Sequence, residues 1–86
     1  MIREYDLYCN NDFNRFNELC LMIEKDFPDF KKGKLLTDVD GSKAQTYTSG
    51  DKEIVIVNDY DYECIIARAN INLTDFVKKL DTGFPD

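Results

Sequence analysis

Histidine is absent from this 86-residue chain. The usual base and metal ligand near neutral pH is therefore missing, and with it the serine and cysteine triads that depend on imidazole. Catalysis would have to use carboxylates, thiols, lysine or tyrosine. With 4 glycines and 2 prolines there is no linker, and no internal repeat or low-complexity tract appears. No stretch approaches the roughly 20 apolar residues that span a bilayer. The opening "MIREYDLYC" holds Glu4 and Asp6 and no apolar run of signal-peptide length, so export by that route is not expected. The cysteines, Cys9, Cys20 and Cys64, are odd in number, far apart and without the paired spacing of a zinc ribbon or redox dithiol. Each sits at an apolar-patterned position, where a free thiol behaves as a small hydrophobe, so a reducing cytosol is the expected compartment.

What is present fits one small folded domain spanning residues 1–86. The chain is 43% hydrophobic and 33% charged, inside the globular range. Eleven basic against 17 acidic residues give a net charge of −6, a field that repels a phosphate backbone. Direct nucleic-acid binding is therefore not expected. Charge is unevenly spread: residues 1–30 carry 3 basic and 7 acidic groups, residues 31–52 carry 5 and 3, and residues 53–86 carry 3 and 7. The mildly basic middle consists of Lys31, Lys32, Lys34, Lys43 and Lys52. Solvated turn and edge lysines, which keep sheet edges from pairing with other chains, account for it.

Hydrophobic periodicity supplies the elements. From Arg3 to Cys9, Tyr5, Leu7 and Cys9 alternate with Glu4, Asp6 and Tyr8, the pattern of a half-buried strand. Asn10, Asn11 and Asp12 then offer side-chain oxygens to a helix start, and Phe13, Phe16, Leu19 or Cys20, Ile23 and Phe27 follow at helical spacing up to Pro28. A lysine-rich loop leads to two strands, Leu35 to Val39 and Ala44 to Thr48, joined by "DVDGS", whose Asp-Gly suits a tight turn. A second turn at Ser49 to Asp51 feeds "KEIVIV". Its apolar run, Ile54 to Val57, reads as a central strand covered on both faces. The return strand, about Glu63 to Asn70, sets Ile65, Ala67 and Ala69 against Cys64, Ile66 and Arg68. The small alanines leave room for a helix. After Asn72, a cap with Asp75 three residues on, a short helix buries Leu73, Phe76, Val77 and Leu80 and stops at Gly83. The expectation is an α+β fold of order β-α-β-β-β-β-α, with a mostly antiparallel sheet and its helices on one face.

Chemical motifs are weak. Asp59 and Asp61 are the best carboxylate pair, but an exposed hairpin tip lacks the cleft in which glycosidases hold two carboxyls at set separation. "TDVDGS" departs from a calcium loop, because with Gly41 at the sixth position Leu36 occupies the first. Asp40 is followed by lysine at the third position rather than the second, which breaks a magnesium-nuclease pattern. No enzyme activity, metal or cofactor is expected.

The segment "NDYDYE", residues 58–63, stands out, since three carboxylates and two tyrosines interrupt an apolar stretch. It reads plainly as a polar hairpin loop. It also suits binding: tyrosine gives broad rigid contact, and neighbouring carboxylates attract lysines and arginines over distance. Glu4, Tyr5, Asp6 and Tyr8 repeat the theme, and a sheet can bring both sets to one surface. In size, acidity and tyrosine content the chain resembles small acidic immunity proteins and antitoxins, which cover the cationic surface of a nuclease toxin, and phage inhibitors that imitate nucleic acid. The resemblance implies a basic protein partner, a toxin or nuclease, contacted by Asp59, Tyr60, Asp61, Tyr62 and Glu63 together with Glu4, Asp6 and Tyr8. Imitation of DNA fits less well, because basic residues break the continuous row of negative charge. A self-associating subunit using the Cys64, Ile66 and Arg68 face is the third expectation, and a small carboxylate enzyme the last.

Overall fold

A computed structural model describes residues 2–8, 13–39, 41–59 and 64–80. Among them the chain order is β1 (Arg3–Tyr8), α1 (Phe13–Asp26), β2 (Lys31–Thr37), β3 (Lys43–Ser49), β4 (Lys52–Asp59), β5 (Cys64–Ala69) and α2 (Thr74–Leu80). This is the expected α+β order. The expected helix start at Asn10 to Asp12, the stop at Gly83, Cys9, Asp40 and residues 60–63 lie outside the described residues.

Each turn follows from its residues. Ser49 pairs with Lys52 across a two-residue loop, and Gly50 takes a φ of 61°, which costs glycine nothing. The β2–β3 turn closes through the Asp38 N–H donating to Ser42 O (2.8 Å) and the Gly41 N–H donating to Asp38 O (3.1 Å), with Gly41 at a φ of 91°. At the start of α2 the Asn72 carboxamide oxygen accepts the Thr74 N–H at 2.8 Å, satisfying one orphan amide of the first turn. The Tyr5 hydroxyl accepts a second, from Leu73, at 3.2 Å. Asn70 ties the far end of the sheet: its Oδ1 accepts the Glu53 N–H (2.8 Å) and its Nδ2 donates to Asp51 O (2.7 Å).

All neighbouring strands pair antiparallel, in the spatial order β1-β5-β4-β3-β2. The first strand thus lies beside the last, and β4 is the middle of five. Both helices pack against the sheet, and the core between contains Phe16, Leu19, Cys20 and Ile23 of α1, Tyr47, Ile54, Ile56, Ile65, Ala67 and Ala69 of the sheet, and Leu73, Phe76 and Leu80 at α2. Burying a Leu, Ile or Phe side chain stabilises by roughly 1.5–3 kcal/mol, so this single layer is the main source of stability. The helices also touch each other. Phe27 stands 6.5 Å from Phe76, and Lys79 Nζ is 2.7 Å from an Asp26 carboxylate oxygen.

Three expectations are corrected. The lysine-rich segment is not a loop: β2 begins at Lys31 and ends at Thr37, so Val39 falls in the turn. An edge strand has one face of its backbone in water and tolerates lysines that a central strand would not. Val55 and Val57 are only half-buried, so β4 is covered on one face rather than two. Tyr8 does not share the face of Glu4 and Asp6. A β-bulge sets Leu7 and Tyr8 together opposite Ile65, turning Tyr8 toward the core, where Arg15 lies 5.7 Å from its ring centroid.

A second bulge shapes the other edge. Between the pairs Lys32–Tyr47 and Leu35–Gln45, β2 carries one residue too many. Gln45, buried beneath, donates its Nε2 to the Gly33 carbonyl at 2.6 Å, satisfying an acceptor that the bulge removes from the ladder. A Cβ at position 33 would meet Thr46 O at 3.2 Å, so glycine fits this close crossing.

Candidate functional site

Among the described residues the sheet face away from the helices is uncovered, and strand alternation decides what it presents. From β1 come Glu4 and Asp6; from β5, Cys64, Ile66 and Arg68; from β4, Val55, Val57 and Asp59; from β3, Ala44 and Thr46; and from β2, Lys31, Lys34 and Leu36. The centre is aliphatic and half-buried, and the flanks are charged. Along the β1–β5 side runs a groove of about 440 Å³ lined by Glu4, Asp6, Cys64, Ile66 and Arg68. Arg68 Nε donates to Glu4 Oε2 at 2.7 Å, a directly cross-strand pair with both side chains half exposed. Such a surface pair contributes about 0–1 kcal/mol, so its effect is mainly to hold Glu4 in place. Near the β2–β3 turn a second groove, of about 330 Å³, has Leu36, Ala44 and Val57 among its walls.

The sequence-derived site residues divide accordingly. Glu4 and Asp6 lie together on the open face, Asp6 opposite Ile66. Asp59 pairs with Cys64 at the end of the sheet where β1 finishes, since Tyr8 pairs with Ile65 next to it. The two acidic segments therefore reach the same end of the sheet, with β5 between them. Tyr8 points to the core side, and Tyr60, Asp61, Tyr62 and Glu63 lie outside the described residues. Val55 and Val57 were missed as surface residues, because an unbroken apolar run hides which of its alternate positions meets a helix. The Glu4–Arg68 pair was missed because strand order is not written in local pattern.

Under the sheet a polar cluster is locked in place. The Tyr47 hydroxyl, on the core side of β3, donates to Glu24 Oε2 at 2.8 Å, and Lys32 Nζ approaches the same carboxylate oxygen at 3.4 Å. Burial, then the bond to the Glu24 carboxylate, holds the Tyr47 phenol far above its ordinary value of 10.0. Burial likewise raises the Cys20 thiol above 9.0. Both groups fold neutral but ionise once unfolded. Their contribution is complete below pH 9 and is lost as pH climbs past the unfolded values toward the raised folded ones. Urea midpoints should therefore stay level through pH 8 and fall steeply above pH 10. Tyr47→Phe should cost about 1 kcal/mol at neutral pH and flatten that alkaline fall. An unchanged slope would exclude Tyr47 as its source.

Among the described residues no group of three or more His, Cys, Asp or Glu side chains is placed to hold a metal ion, and no helix is long and apolar enough to cross a membrane. No family model, curated protein or solved structure matches the chain.

Proposed function

We propose that this chain is a protein-binding module that captures a basic protein partner, in the manner of an immunity protein or inhibitor that neutralises a cationic toxin or nuclease. The observation that carries the reading is the antiparallel docking of β1 beside β5. It gathers Glu4 and Asp6 around the Ile66 groove, with Asp59 at the adjoining strand end. A half-buried aliphatic floor with carboxylates along its rim suits a lysine- or arginine-rich surface. The aliphatic stems and the charged heads of such residues both find a counterpart. The net charge of −6 draws such a partner in over distance.

Titration of isotopically labelled protein against a panel of cationic ribonucleases and deoxyribonucleases, read by amide chemical shifts and by nuclease inhibition, tests this. Shifts should cluster at Glu4, Asp6, Ile66, Arg68 and Asp59. The variant Glu4→Lys/Asp6→Lys/Asp59→Lys should weaken binding by about tenfold or more, chiefly through slower association, with the melting temperature kept within about 4 °C. Inhibition that survives this charge reversal, or shifts confined to the helices, would sink the proposal.

A further inference from the structure

The open face carries charge of opposite sign on its two flanks. Glu4 and Asp6 stand on β1, and the exposed Lys31 and Lys34 stand on β2, with Val55 and Val57 midway on β4. Because β4 is the third of five strands, a twofold axis parallel to it lays β4 over β4 of a second copy, β5 over β3, and β1 over β2. The register fixes the heights. Glu4 aligns through Arg68, Val55 and Thr46 with the bulge at Gly33 and Lys34, and Asp6 aligns through Ile66, Val57 and Ala44 with Leu36. We infer that the open face is the interface of a reversible, twofold face-to-face dimer, in which the Glu4–Asp6 flank of each copy lies over the Lys31–Lys34 flank of the other, with Glu4 facing Lys34, Asp6 over Leu36 and Lys31 one step beyond Glu4.

Charge selects this arrangement. A twofold axis across the strands would set Glu4 and Asp6 against themselves and the lysines against lysines, which costs energy on both flanks. The ends of β4 bring Glu53 and Asp59 near like charge in either arrangement, so the two arrangements differ on the flanks, and the flanks decide. Edge-to-edge dimerisation through β2 is opposed by its own lysines. Stacked sheets keep their strands within about 30° and lie about 10 Å apart, and the half-buried Val55, Val57, Ile66 and Ala44 with the exposed Leu36 supply the apolar layer such packing needs. Five strands about 4.8 Å apart and about six residues long cover roughly 24 by 20 Å. That is on the order of 500 Å² in plan per copy, a small interface of the weak, reversible kind. A basic partner would compete for the same face.

Sedimentation equilibrium of the full chain between about 10 μM and 1 mM tests the inference, a range that brackets a dissociation constant of about 100 μM. The mass of the wild type should rise from 10.0 kDa toward twice that value. Glu4→Lys/Asp6→Lys and Lys31→Glu/Lys34→Glu should each weaken dimerisation at least tenfold, all four residues being exposed. An equimolar mixture of the two variants should dimerise again, since each then meets opposite charge on both flanks. A wild type that stays monomeric at 1 mM overturns the inference, and so does a mixture that stays as weak as its parts. Dimers that both variants retain would place association on another face. The lysine variant leaves the carboxylate rim intact, so loss of self-association and loss of nuclease binding are read separately.

Discussion

Ile56→Ala is expected to lower stability by about 3–4 kcal/mol, whereas Val55→Ala, one position earlier on the same strand, should cost about 1 kcal/mol. Ile56 is fully enclosed at the middle of the middle strand, between Gln45 and Ala67, on the face that the helices cover. Removing its outer methyl groups forfeits their transfer free energy and leaves a cavity. β4 is anchored on both sides and cannot close that cavity, so the cost belongs in the upper part of the 2–5 kcal/mol range for such truncations. Val55 is half-buried on the open face, where water fills whatever the substitution vacates. A chain of this length has a total stability of roughly 4–13 kcal/mol, so the first change approaches the limit of folding and the second does not. Urea unfolding of both variants decides the matter. Equal costs would mean that the second face of the sheet is also packed, contrary to a one-sided core.

That contrast also marks what the sequence discloses. Elements whose signal is local were legible: the helical stripe through Phe16, Leu19, Cys20 and Ile23, the alternation of Ile65, Ala67 and Ala69, the glycine turns at Gly41 and Gly50, and the Asn72 cap. Each is set by side-chain periodicity or by a single backbone requirement. What depends on the partner across the sheet was not legible. The run Ile54 to Val57 is equally apolar at every position, and only the placement of α1 makes Ile54 and Ile56 core and Val55 and Val57 surface. The lysines at 31, 32 and 34 suggest a loop until Tyr47 and Thr48 supply ladder partners and Gln45 satisfies the bulged Gly33 carbonyl.

The candidate site divides in the same way. The sequence named Glu4, Asp6 and Asp59 from composition, and the pairing of β5 with β1 on one side and β4 on the other is what sets them on one face of the sheet. Tyr8 was assigned to their face by strict alternation. One extra residue in a ladder reverses that assignment, and a bulge has no local signature when the residue it accommodates is as ordinary as Leu7.

Asn58→Val is expected to stabilise the protein by about 1–2 kcal/mol, a gain where most substitutions lose. Asn58 is fully enclosed on the helix side of β4, opposite Ile65, and among the described residues neither its side-chain oxygen nor its nitrogen has a hydrogen-bond partner. An amide taken from water without compensation costs roughly 1–3 kcal/mol in proteins. Valine has similar shape, demands no partner and suits a strand. At about 4–8 °C per kcal/mol for a domain of this size, the melting temperature should rise by roughly 4–16 °C. Asn58→Asp provides the opposite arm. It keeps the shape but encloses a carboxylate, whose pKa must rise, so its stability should be worst at neutral pH and recover as acid restores the neutral form. If valine at this position lowers the melting temperature, the carboxamide is satisfied in solution and the position is structural. If stability rises while nuclease inhibition falls, the amide is held against stability for the benefit of the adjoining Asp59 end of the sheet, where binding is proposed.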